Sequence, residues 1–124
     1  MEHVGYDPDR VHGNVHTEAF NHTRRNGRGY TAPLPEACDA FHRYQLTWTE
    51  DEILLGFDDR NYLRIVNDAN GDDDIWPFHR PQYLLLNMAI GGSWGGNEGI
   101  DDTIFPRQFL VDYVRVYQKL PPAE

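Results

Sequence analysis

Two stretches carry side chains able to handle a polar, uncharged ligand. In "NMAIGGSWGGNEG", Asn87, Met88 and Trp94 surround a glycine-rich bend. Missing side chains let the backbone turn sharply there and let a ligand approach it closely. An indole beside such a bend can stack on the apolar face of a sugar ring while amides and imidazoles meet its hydroxyls. The alternative reading is a core tryptophan under a loop. In "VHGNVHTE", residues two apart share one side of a strand, so His12, Asn14, His16 and Glu18 make a polar row. Such a row is either solvent-side decoration or the floor of a groove. His12 and His16 would stand about 13 Å apart along a strand, too far to share a zinc ion.

The remaining candidates read as structural. "NDANGDDD" sets Asp68, Asn70, Asp72 and Asp74 at alternate positions, as a calcium loop begins. Asp73 stands where that loop needs glycine and His79 where it needs glutamate, so the stretch reads as a solvated acidic turn. The glycines precede no Lys-Ser/Thr pair, which excludes a phosphate loop. Cys38 is the sole cysteine; it rules out an internal disulfide and reads as a small, half-buried side chain. A net charge of -9 disfavours nucleic acid and anionic membrane surfaces, leaving neutral substrates the easiest to accommodate. No run of 18 or more apolar residues and no charged-then-apolar leader is present, so neither a membrane span nor a secretion signal is expected within the sequence. An export signal, if the protein has one, is expected upstream of Met1.

The elements that must position these residues are strands. "FHRYQLTW" alternates, with His42, Tyr44, Leu46 and Trp48 on one side and Phe41, Arg43, Gln45 and Thr47 on the other. "EILLGF" and "YLRIV" are β-type runs, and Asp58 to Asn61 between them has the composition of a hairpin loop. "QYLLLNMAI" predicts a strand buried on both faces, and "FLVDYVRVYQ" a long final strand that pairs centrally. No window keeps a helical period beyond about two turns. The expected architecture is a single all-β domain, an antiparallel β-sandwich, over residues 1–120, with 121–124 as a tail.

The runs "FHRYQLTWTEDEILLGFDD", "WPFHRPQYLLLNMAIGGSWGG" and "FPRQFLVDYVRVYQ" resemble, in order, the C-terminal half of the laminarinase-type enzymes of glycoside hydrolase family 16. The resemblance implies a concanavalin-like jelly roll, incomplete in this chain, and retaining hydrolysis of internal β-1,3 or mixed β-1,3/1,4 glucan bonds. It implies that Met1-Glu2 matches the last two letters of the family's E-x-D-x-x-E signature, frequently followed by a stretch like "HVGYDP". Glu2 is then the general acid/base, with the nucleophilic glutamate and its assisting aspartate expected before Met1. It further implies that Asn14 and His16 contact substrate, that Asn87 and Trp94 form the far wall, and that Glu2, His16 and Trp94 face one side. Asp112 matches a structural calcium ligand whose backbone partners belong to the family's N-terminal part; no cofactor is required for the chemistry itself. Expected partners are the β-glucan and a chain supplying the missing half, and the expected location is extracellular. A retaining glycosidase needs two carboxyl groups about 5–5.5 Å apart, so residues 1–120 alone are expected to be inactive. The competing expectation is a lectin-like module that keeps the Trp94 wall without a reaction.

Overall fold

Alternation along the chain sorts side chains between an interior and two outer faces. The computed structural model describes residues 1–120. Its strands are β1 (Glu2–Val4), β2 (Asp7–Val15), β3 (Arg28–Pro33), β4 (Tyr44–Trp48), β5 (Glu52–Phe57) and β6 (Arg60–Val66), and a single helical turn, α1, spans Gly92–Gly95. All pairings are antiparallel. They form two three-stranded sheets, β1-β2-β3 and β4-β5-β6, so the all-β sandwich expected from the sequence is present.

The core lies between the sheets. In β2, Val11, Gly13 and Val15 are buried while His12 and Asn14 between them stay partly open. Val15 packs with Ile53, Leu55, Ile65, Ala69 and Trp76, whereas Val11 packs with Ala32, Leu34 and Phe57. Tyr62 touches both clusters. Gly13 allows this approach, because a Cβ there would stand 2.7 Å from the Tyr62 hydroxyl and 2.8 Å from Leu55 Cδ1. Burial of Tyr62 pushes its phenol up to about 12.

The β5–β6 hairpin turns more tightly than composition suggested. Asp58 and Asp59 alone make the turn, both with positive φ (47° and 66°), and the ladder resumes at Arg60. Two left-handed residues match the right-handed twist of the flanking strands, and aspartate tolerates that conformation better than most side chains. The turn is tied to the loop leading into β4: His42 Nδ1 lies 2.6 Å from Asp58 Oδ2, and His42 Nε2 lies 2.9 Å from the Glu36 carbonyl.

Several expectations are corrected. Residues 82–90 and 109–118 carry strand-type sequence but no ladder hydrogen bonds, and their apolar side chains face outward, Leu85 at 70% and Val116 at 88% exposure. A strand is stabilised by a hydrogen-bonded neighbour and a face to bury, and among the described residues neither segment has one. β4 is an edge strand, and Tyr44, Leu46 and Trp48, which alternation puts on one side, remain substantially exposed. Cys38 is exposed, not half-buried. The strand β3, unexpected because glycine and proline bracket "RGYTAP", pairs residue for residue with β2 from Arg10↔Pro33 to Val15↔Arg28. The tail at 121–124 lies outside the described residues.

Candidate functional site

The face of the β1-β2-β3 sheet that points away from the core gathers the polar row. Glu2 on β1 stands directly opposite His12 on β2. Directly opposed residues of an antiparallel pair project to the same side, so Glu2 shares the face of His12 and Asn14. The register is irregular there: Val4 opposes Asp7 although Glu2 opposes His12. A break of this kind re-aims side chains, and here it lets Val4 turn into the core while Glu2 stays exposed.

Asn14 sits in a space cleared by glycines. It opposes Gly29 across the ladder, and a Cβ on Gly29 would stand 2.8 Å from Asn14 Oδ1 and 2.6 Å from the Gly13 carbonyl. Asn14 Nδ2 lies 3.5 Å from His16 Nε2, while Asn14 Oδ1 is buried without a hydrogen-bond partner in the structure. The His16 ring packs edge-on against His22, with centroids 5.4 Å apart. The polar row stops at this point. β2 ends at Val15, and Glu18 turns away to pair with Arg24 Nη2 at 2.5 Å.

Trp94 reaches the same face from the other end of the sequence. The turn that carries it begins with Gly91 and Gly92, both at positive φ (74° and 80°), a conformation that strains residues with a Cβ. The Trp94 ring meets His12 edge-to-face at a centroid distance of 5.0 Å and an interplanar angle of 89°. His12 Nδ1 in turn lies 3.0 Å from Thr31 Oγ1 on β3. The structure therefore groups Glu2, Asn14, His16 and Trp94, with His12 and Thr31 between them. Period-two reasoning placed His12 in the row but gave it no role; Thr31 and Gly29 escaped notice because no strand was expected at 28–33.

Asn87 lies in the exposed 82–90 segment, with no hydrogen bond tying it to this face. Asp112 lies in the exposed 109–118 segment. Calcium takes about six to eight oxygen ligands, and among the described residues no three His, Cys, Asp or Glu side chains converge on one point. Asp112 alone does not fit a calcium site, and no chemical step is assigned to the metal.

The acidic turn is occupied by internal contacts. Arg28 Nη1 and Nη2 donate to Asp68 Oδ1 and Oδ2 at 2.8 and 2.9 Å, which holds the Asp68 carboxyl below its ordinary range. The same guanidinium lies 3.9 Å from the Phe20 ring centroid. Asp72 Oδ1 accepts from the Asp74 amide at 2.9 Å.

This arrangement can bind a neutral, hydroxyl-rich ligand and places the Glu2 carboxyl opposite His12, where it could transfer a proton; the Asp7 carboxyl also lies 3.9 Å from His12 Nε2. The family model for glycosyl hydrolases family 16 matches residues 1–115. A β-glucanase of Rhodothermus marinus is 47% identical over 122 residues, which cover 95% of this chain and 43% of that protein. The laminarinase structure from Rhodothermus marinus superposes with a TM-score of 0.80 at 44% identity, covering 84% of this chain and 43% of that one. SCLam, a non-specific endo-β-1,3(4)-glucanase of the same family, gives 0.79 at 46% identity, covering 84% of this chain and 39% of its own. The chain spans less than half the length of each of these proteins.

Proposed function

This chain belongs to glycosyl hydrolases family 16, and we propose that it forms part of an enzyme that hydrolyses β-1,3 or mixed β-1,3/1,4 glucan with retention of configuration. The observation that carries the proposal is the shared face: the β1-β2 register sets Glu2 beside the polar row, and Trp94 packs onto that row through His12. In this reading Glu2 protonates the leaving glycosidic oxygen and later deprotonates the attacking water. Asn14 and His16 hydrogen-bond the substrate, while Asn87 and the Trp94 indole contribute the far wall against a glucosyl ring.

The retaining reaction needs a second carboxylate about 5–5.5 Å from the first, to attack the anomeric carbon. The resemblance finds no counterpart for that nucleophile within residues 1–120, so we assign it to a polypeptide segment outside this chain. The apolar exposure along 82–90 and 109–118 supports a proteinaceous neighbour there, since large apolar patches and unpaired strands usually mark contact surfaces. Calcium coordination by Asp112 would depend on the same neighbour; calorimetry is expected to detect weak or no calcium binding by this chain alone, and tight binding lost on Asp112→Asn would contradict that. We propose an extracellular location, as the family resemblance implies. No helix among the described residues is long and apolar enough to cross a membrane.

A reducing-sugar assay on laminarin tests the proposal, using this chain, a version extended with a family-type N-terminal part, and the extended version with Glu2→Gln. The expected order is no activity, activity, and activity reduced by about 10²-fold or more. Full activity in the extended Glu2→Gln variant would remove Glu2 from the acid/base role. A lectin-like module is the second reading, favoured by a Trp94 wall that packs on His12 without a second catalytic carboxylate matched in this chain. Oligosaccharide binding without turnover in the extended version would establish it.

A further inference from the structure

We propose that His12 is a positioning residue that fixes the Trp94 ring on the outer face of the β1-β2-β3 sheet. Nothing in its own turn can hold Trp94. The helix is four residues long, has no side-chain cap and buries none of its residues. Glycines occupy positions 91, 92, 95 and 96 around it, and these are the residues that lose most conformational freedom when ordered. A one-turn helix is not stable by itself, so the indole's orientation must come from a tertiary contact.

His12 supplies that contact. Its side chain is 22% exposed, with Nδ1 3.0 Å from Thr31 Oγ1 and Nε2 3.9 Å from Asp7 Oδ2. β2 lies between two ladders, to β1 and to β3, which makes the imidazole's base far stiffer than the Trp94 turn. The perpendicular ring geometry at 5.0 Å is the edge-to-face arrangement in which aromatic pairs attract beyond simple burial. With one part of the indole covered and 38% of Trp94 exposed, a surface remains on which a flat apolar ligand face can stack. That consequence for sugar binding rests on the glucan reading above; the positioning itself does not.

The test isolates Trp94 emission by subtracting the spectrum of Trp94→Phe, which keeps Trp48 and Trp76. Acrylamide quenching and anisotropy of that component are compared in the unaltered chain, His12→Ala, His12→Phe and Thr31→Val. Removing the imidazole should raise Trp94 quenching about twofold or more and lower its anisotropy. His12→Phe should restore both by supplying another ring edge, and Thr31→Val should fall between. Laminarin-derived oligosaccharides should bind about tenfold more weakly to His12→Ala, with little further loss when Trp94→Phe is added. Unchanged Trp94 quenching in a folded His12→Ala protein overturns the proposal. Weaker sugar binding with unchanged quenching also overturns it, because His12 would then touch the sugar directly. If His12→Ala does not fold, the near-isosteric Thr31→Val decides by the same readout. Failure of the unaltered chain to bind oligosaccharide would instead count against the glucan reading, and the quenching comparison would still decide the role of His12.

Discussion

Residues 2–66 and residues 82–118 have similar strand-type composition and opposite outcomes. The first region folds into two ladders with Val11, Leu55, Phe57 and Ile65 enclosed between them. The second leaves Leu84, Leu85, Leu86, Val114 and Val116 exposed and forms no ladder. β propensity and the central apolar run are nearly the same in "EILLGF" and "QYLLLN". What differs is the supply of neighbours. Ile53, Leu55 and Phe57 meet β4 on one side, β6 on the other and the second sheet above, whereas residues 82–90 meet no paired strand among the described residues. Propensity measured in sheets is largely packing against neighbours, so it cannot build a strand where they are missing.

Amide hydrogen exchange gives the largest contrast between the regions. Amides of β5 should exchange on the order of 10³-fold or more slowly than those of 82–90 and 109–118, because paired backbone opens only at close to the global unfolding free energy. Equal protection of 82–90 and β5 would break the comparison and reveal a partner for that segment. Side-chain truncation sharpens it next. Leu55→Ala, at a residue 5% exposed, should cost about 2–5 kcal/mol in urea unfolding, while Leu85→Ala should stay within about 0.5 kcal/mol. Equal costs would mean that Leu85 has a buried environment.

The smallest effect concerns the Asp58-Asp59 turn between β5 and β6. The Asp58 hydrogen bond, with help from the Glu36 carbonyl, raises His42 above its ordinary 6.5, and the His42 and Arg43 hydrogen bonds lower Asp58 below its ordinary 3.8. A raised histidine contributes stability that is complete below 6.5 and fades as pH climbs through the raised value. A lowered carboxyl contributes stability that is complete above 3.8 and fades as pH falls through the lowered value. Both contributions are therefore present between about pH 4 and 6.5. Asp58→Asn should lower stability most in that window and less at pH 9, where neutral His42 no longer contributes but the Asp58 carboxylate still accepts from the Arg43 amide. Denaturant midpoints at pH 5.5 and pH 9 check this, and an equal loss at both would assign the effect to turn geometry instead of charge.

Several features were legible without coordinates. Alternation in "VHGNVH" placed His12, Asn14 and His16 on one side of a strand, since side chains in a pleated strand must alternate whatever surrounds it. A hairpin connection within Asp58 to Asn61 and the solvated character of the acidic stretch followed from local chemistry, and resemblance of motifs identified the family. Other features belonged to tertiary structure. Sequence could not show that Glu2 opposes His12, because register depends on an irregularity between β1 and β2. Nor could it show that Trp94, more than eighty positions away, lands on His12, because no local rule fixes where a glycine-bounded turn docks. "QYLLLNMAI" marks the limit most plainly: its composition determined that it could serve as a strand, but a strand exists only beside another, and that is decided by which backbones the fold brings within hydrogen-bonding distance.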